Sequence, residues 1–169
     1  DLFVPVKQLK TVRFRSGRCM QNRENILADI ARWLDDFVWL EDALECRIPF
    51  TLAEVRRNVS RRNIVQAAMV CRGKLGLRDT EPIHDICGLL GSAGVKVLPL
   101  RMASDGFFGL SVGEEDGGPA IAVNVWERIS VERRIFSAAH EHGHLMLHPG
   151  AYDVGESEKN KKEEEEANL

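Results

Sequence analysis

Two histidines four residues apart, with a glutamate directly after the first, carry the chemistry of this sequence: His140-Glu141-His142-Gly143-His144. On a helix of 3.6 residues per turn, positions i and i+4 lie on one face, so His140 and His144 direct their imidazoles at one point. Two imidazoles so placed are ligands for a divalent cation. Zinc takes such nitrogens at about 2.0–2.1 Å and favours a tetrahedral shell with one position left for water. Glu141 projects close by without having to coordinate. From there it can take a proton from a water acidified by the cation and pass it to a leaving group, which is the chemistry of hydrolysis. The motif lies among Ala138, Ala139, Leu145, Met146 and Leu147. Ionisable groups in a helix that must be largely buried need a partner, which favours a metal site over polar surface.

A third ligand is required. His148 continues the stripe, but eight residues of helix put it about 12 Å from His140, too far to share one ion. The elongated metzincin pattern needs a glycine and a further histidine where this chain has Leu147 and Gly150, so that subclass is excluded. A carboxylate from a following helix remains, giving a two-histidine, one-glutamate set that takes zinc by default and also accepts other divalent ions. Glu156, Glu158 and Glu163 to Glu166 are the candidates. Most of that glutamate run must be solvated.

The elements that position these groups follow from periodicity. After Asn22, apolar residues at Ile26, Ile30, Trp33, Phe37, Leu40 and Leu44 predict an amphipathic helix. Thr51-Leu-Ala-Glu54 has capping-box spacing and opens a second helical stretch, broken near Ser60 and ending at Gly73 or Gly76. A third helix fits Pro82 to Ser92, with Pro82 at its start. The period then changes to that of strands at 95–98, 107–112 and 120–124, the last two joined by the turn-rich segment 113–119. Ser130 caps a long helix through His148, and a charged helix begins at Glu158. Together these predict an α+β fold: N-terminal helices, a small, mainly antiparallel three-stranded sheet, and a zincin-like active-site helix packed against it. Residues 1–50 read as an extended lead-in and a helix, in the manner of a linker from a missing DNA-binding domain. Residues 51–169 read as the catalytic domain, cut short at its C-terminal end.

Composition narrows the rest. Across 169 residues the formal charge is −3, and residues 86–169 hold 14 acidic groups against 8 basic ones. That excludes nucleic-acid binding by charge alone. The cluster Arg56, Arg57, Arg61 and Arg62 is a local exception and reads as a solvated helix face, with duplex DNA as the rival ligand. Four singly spaced cysteines exclude a zinc ribbon and a disulfide scaffold. With neither a spanning apolar run nor a signal segment, a cytoplasmic protein with no membrane partner is expected.

The segments Ile121-Ala-Val-Asn124, Val131 to His148 and Glu164-Glu-Glu-Ala-Asn-Leu169 resemble the ImmA/IrrE family of zinc metallo-endopeptidases, whose site is of the gluzincin type. The resemblance spans roughly residues 52–169. It implies His140 and His144 as ligands, Glu141 as catalytic base and Glu164, four before Asn168, as third ligand, with Glu166 as the alternative. His148 matches the family's trailing histidine and is expected to support the ligands or the structure. His142 stands where the family usually has a hydrophobic residue. The resemblance also implies a narrow, regulatory specificity: a protein substrate, a helix-turn-helix transcriptional repressor, with DNA association through a domain preceding Asp1. Asn124 and Tyr152 are further candidates for touching substrate, the first against a turn-fixing role and the second against simple packing. The rival to the enzyme is a metal-binding regulatory or sensor domain that acts by protein contact without proteolysis.

Overall fold

The computed structural model describes residues 7–16, 23–60, 62–148 and 159–168. In chain order the elements are β1 (Val12–Ser16), α1 (Arg23–Ala43), α2 (Ala53–Asn58), α3 (Ile64–Lys74), α4 (Ile86–Ser92), β2 (Lys96–Leu100), β3 (Phe107–Val112), β4 (Ala120–Asn124), α5 (Val131–Leu147) and α6 (Lys159–Ala167). The class is α+β, as expected, but the sheet differs from expectation. It has four strands in the order β1-β3-β4-β2, not three. It is mixed: β1 with β3 and β3 with β4 run antiparallel, whereas β2 and β4 run parallel.

Both differences have physical causes outside local pattern. The hairpin β3–β4 places β4 between β3 and β2, so the two strands on either side of β3 in sequence become neighbours pointing the same way. Residues 12–16, expected as lead-in, pair with β3 in the register Val12 to Val112 and Arg13 to Ser111. What holds this segment is Asp116, in the β3–β4 connection. Its carboxylate accepts the N–H groups of Lys10 (2.7 Å) and Thr11 (2.6 Å) and the Thr11 hydroxyl (2.6 Å). These bonds join positions more than 100 residues apart.

The sheet is covered on both faces, a three-layer solution to burying alternating side chains. Ile26, Ile30 and Leu34 of α1 pack on Val12, Leu110, Val112, Ala120 and Ala122. The opposite face, with Val95, Ile121 and Val123, receives Ile86 and Leu90 of α4 and Ala138 and Leu145 of α5. Fully burying a side chain such as Ile30 or Leu34 stabilises the fold by about 1.5–3 kcal/mol. Leu52, Val55, Ala67 and Cys71 of the α2–α3 region form a further cluster against Met146 of α5.

Several local expectations shift. The helix face of α1 is rotated toward Leu34, and its far end does not join the core: Leu40 and Leu44 are exposed, Leu44 at 69%. Thr51 does not cap α2. Its N–H (3.0 Å) and hydroxyl (3.5 Å) both donate to the Ala93 carbonyl, and Leu52 takes the N-cap position. The third helix starts at Ile86 instead of Pro82, because the Asp85 carboxylate accepts the Gly88 N–H at 2.9 Å and caps it there. Among the described residues Cys46, Cys71 and Cys87 are free thiols.

Candidate metal centre

Helix α5 begins where Ser130 accepts the Arg133 N–H at 3.3 Å and ends before His148. Since Ala138 and Leu145 face the sheet and Met146 faces α2 and α3, the 3.6-residue period turns His140 and His144 toward α6 and Glu141 under β3. All three are buried: 2%, 1% and 2% exposed.

Helix α6 brings the carboxylate. Glu164 Oε2 lies 3.0 Å from His140 Nε2, and Oε1 lies 3.1 Å from His144 Nε2. The two Nε2 atoms are 2.9 Å apart. His140, His144 and Glu164 are the one group of potential metal ligands so clustered among the described residues. The close packing of α6 on α5 depends on Gly143, where a Cβ would sit 2.9 Å from the Ala167 carbonyl oxygen. Gly109 of β3 plays the same part for Glu141, whose Cγ would be 3.1 Å from an added Cβ.

Surrounding groups set the protonation of the two imidazoles. His140 Nδ1 is 2.8 Å from Asn168 Oδ1, an oxygen that only accepts, so Nδ1 carries the proton and Nε2 the lone pair. His144 Nδ1 is 3.3 Å from His148 Nδ1, and His148 Nε2 is 3.2 Å from Glu166 Oε2. A proton on each donor in turn, His148 Nε2 toward Glu166 and His144 Nδ1 toward His148, leaves His144 Nε2 with its lone pair toward the centre as well. Burial pushes the His144 imidazole down to about 4 and lowers that of His148 also.

Three lone-pair donors, one of them anionic, thus converge within about 3 Å of one another. Such an arrangement is repulsive unless a cation lies among them. The separations are close to the about 3.3 Å between donors in a tetrahedral zinc shell with bonds of about 2.0–2.1 Å. The residues present therefore fit a divalent cation.

Glu141 is next to this group but not in it. Ser111 of β3 donates to its carboxylate, while Oε2 is buried without a hydrogen-bond partner. Burial pushes the carboxyl up to about 7, against the opposing pull of His140, Ser111 and Arg13. A buried carboxylate oxygen held free beside three cation ligands is suited to exchanging a proton with a bound water.

The remaining sequence candidates fall in different places. Glu166, the alternative third ligand, is engaged by His148, and His148 in turn meets His144. Asn124 is 0% exposed. Its amide donates to the carbonyls of Met102 (2.9 Å) and Phe107 (2.9 Å), and its oxygen accepts the N–H groups of Met102 (3.1 Å) and Trp126 (3.1 Å). Those bonds fix the turn leaving β4. We expect Asn124→Ala to cost about 2–3 kcal/mol of unfolding free energy in urea titrations, since it leaves buried backbone groups unsatisfied. Tyr152, Glu156 and Glu158 lie outside the described residues. The basic cluster is divided: Arg56 pairs with Glu114 at 2.7 Å and lies over the Phe50 ring, while Arg57 turns to the Ala53 carbonyl.

Sequence reasoning did not find Ser111, Arg13 or the hydrogen bond from His140 to Asn168. The glycine interrupting the apolar strand Phe107–Val112 was the one local signal of a close approach there. Arg13 and Ser111 had none, since their place depends on strand pairing and helix packing.

Among the described residues no helix is long and apolar enough to cross a membrane. No curated protein and no solved structure matches the chain. Residues 91–169 do match a family model, that of the IrrE N-terminal-like domain of Peptidase M78. The match runs from the end of α4 through α6 and takes in His140, Glu141, His144 and Glu164, but not β1. Residues 91–169, just under half of the chain, are thus similar to that domain, which supports the ImmA/IrrE resemblance and points to a metallopeptidase type of function.

Proposed function

We propose that this protein is a zinc-dependent endopeptidase that hydrolyses a peptide bond in a regulatory protein, with His140, His144 and Glu164 as metal ligands and Glu141 as catalytic base. The observation that carries this reading is the convergence of two imidazole lone pairs and a carboxylate beside a buried glutamate that ligates nothing. A purely structural metal site has no use for that glutamate.

A divalent cation bound there supplies Lewis acidity, lowering the pKa of water and polarising a substrate carbonyl. The chain's own residues do the rest. Glu141 accepts a proton through its free Oε2 and returns it to the departing amine. Ser111 keeps the other oxygen occupied, so the carboxylate presents one face. Asn168 holds the His140 tautomer, and Glu166 with His148 holds that of His144; such outer partners fix ring orientation in metal sites generally.

The substrate assignment rests on the family resemblance: a helix-turn-helix transcriptional repressor, met in the cytoplasm. The single thiols Cys46, Cys71 and Cys87, unbridged in the structure, suit a reducing compartment. Two measurements test the function. Zinc titration against a chromophoric chelator should give one ion per chain. The zinc-loaded protein, incubated with a peptide library prepared from a cell lysate, should produce new internal cleavages, read by mass spectrometry, that disappear on adding 1,10-phenanthroline. One zinc per chain with no cleavage of the library or of repressor proteins would overturn the peptidase and favour a metal-binding sensor.

A further inference from the structure

We infer that Arg13, on the edge strand β1 and outside the family match, is the positioning residue for the Glu164 carboxylate; this rests on the metal-site reading above. Arg13 is 4% exposed although it sits on an edge strand. Its register partner is Ser111, the residue that hydrogen-bonds Glu141, so the guanidinium shares the sheet face that covers the centre. Its Nη2 donates to Glu163, and its Nε lies 4.0 Å from Glu164 Oε1.

This arrangement solves a problem set by the sequence of α6. Four glutamates run consecutively from Glu163 to Glu166. Each repels the others, and a carboxylate on so charged a segment has no intrinsic reason to stay pointed at two neutral imidazoles. Arg13 offsets the charge of Glu163, the nearest competitor for the same cation, and fastens that turn of α6 to the sheet. Glu164, the next residue, is then left with its oxygens toward His140 and His144. The forked guanidinium suits this because it can meet two carboxylates from one fixed plane. Asp116, which pins Lys10 and Thr11, is what holds β1 in place to do so.

Electrostatics and positioning predict opposite signs. A guanidinium this close repels a divalent cation, so if charge alone mattered, Arg13→Gln would tighten zinc binding. If Arg13 acts by orienting Glu164, the same change weakens it, by about 10–100-fold as for partners of metal ligands elsewhere. Arg13→Lys, with the charge but not the fork, should recover part of the loss. The double variant Arg13→Gln with Glu163→Gln restores the wild-type net charge and removes both members of the pair, which keeps an unpaired charge out of the interior. Charge alone predicts wild-type affinity for it; positioning predicts that it stays weak.

The experiment measures zinc dissociation constants of the full chain by chelator competition, together with the visible absorption of the cobalt(II)-loaded protein, which reports the ligand geometry. Far-UV circular dichroism of the metal-free variants shows whether each is folded. Weaker zinc binding and an altered cobalt spectrum in folded Arg13→Gln and in the double variant support the inference. Wild-type affinity with an unchanged spectrum, or tighter binding, in either variant overturns it. If Arg13→Gln fails to fold, the double variant decides alone. Failure of the wild-type chain to bind zinc tightly would instead overturn the metal-site reading, and the inference with it.

Discussion

Glu141→Gln leaves one zinc per chain but lowers the rate of peptide hydrolysis by about 10²–10⁴-fold, the usual contribution of a general acid–base. The substitution is nearly isosteric, so the contact with Gly109 and the hydrogen bond from Ser111 are kept. What disappears is the ability of the free Oε2 to accept a proton. The decisive comparison is between zinc stoichiometry and cleavage of the peptide library in the same preparation. Loss of zinc along with activity would mean that Glu141 is needed to build the site. Full activity in the variant would remove it from the mechanism. A folded, zinc-loaded and inactive Glu141→Gln protein also separates proteolysis from contact. If it still relieved repression by a target repressor, the sensor reading would hold in place of the enzyme.

The second large effect concerns the third ligand. Glu164→Ala should weaken zinc binding by roughly a thousandfold or more, beyond the about 10–100-fold expected for a partner that only orients a ligand. Glu166→Ala should stay within that smaller range, because Glu166 acts on the centre through His148 and His144. Both variants lose one negative charge from the same turn of α6, so the comparison cancels the general electrostatic term. His144→Ala, which removes a ligand from the rigid helix, sets the scale for complete loss. Chelator competition on the four proteins ranks them. A deeper loss in Glu166→Ala than in Glu164→Ala would exchange their roles.

The ranking bears on how a glutamate run is read. From composition, Glu163 to Glu166 are four equivalent solvated charges. In the folded chain they are four different groups: Glu163 pairs with Arg13, Glu164 faces the two imidazoles, Glu165 is exposed and Glu166 meets His148. Helical geometry separates consecutive residues by about 100° around the axis, so neighbours in sequence meet different surroundings. Nothing within the run itself distinguishes them. The spacing from Glu164 to Asn168 set one apart, and that spacing has meaning because Asn168 reaches His140 from the same side.

Other differences between pattern and structure follow the same logic. The alternating steps of α1 announced a helix, and a helix formed. Which of its apolar residues were buried depended on where the sheet ended, so Leu44 stayed in solvent while Leu34 did not. Thr51 and Glu54 had capping-box spacing, but the Thr51 hydroxyl and N–H were drawn to the Ala93 carbonyl. The strands at 107–112 and 120–124 fell where alternation and turn residues put them. Their partners on either side, β1 and β2, were decided by pairing.

The local sequence determined the helix that carries His140, Glu141 and His144, its start at Ser130 and its apolar faces, because these depend on a period of 3.6 residues and on side chains within one turn. It also determined the kind of chemistry, since two imidazoles at that spacing with an intervening glutamate have few other uses. Only the tertiary structure decided that residues 12–16 belong to the sheet and that Arg13 and Ser111 reach the site. Those outcomes come from strand pairing, from two glycine-permitted close approaches and from buried ion pairs between residues as much as 150 apart. Such contacts form because burial leaves a charged or hydrogen-bonding group with no cheaper partner. That requirement exists only once the chain has closed around it.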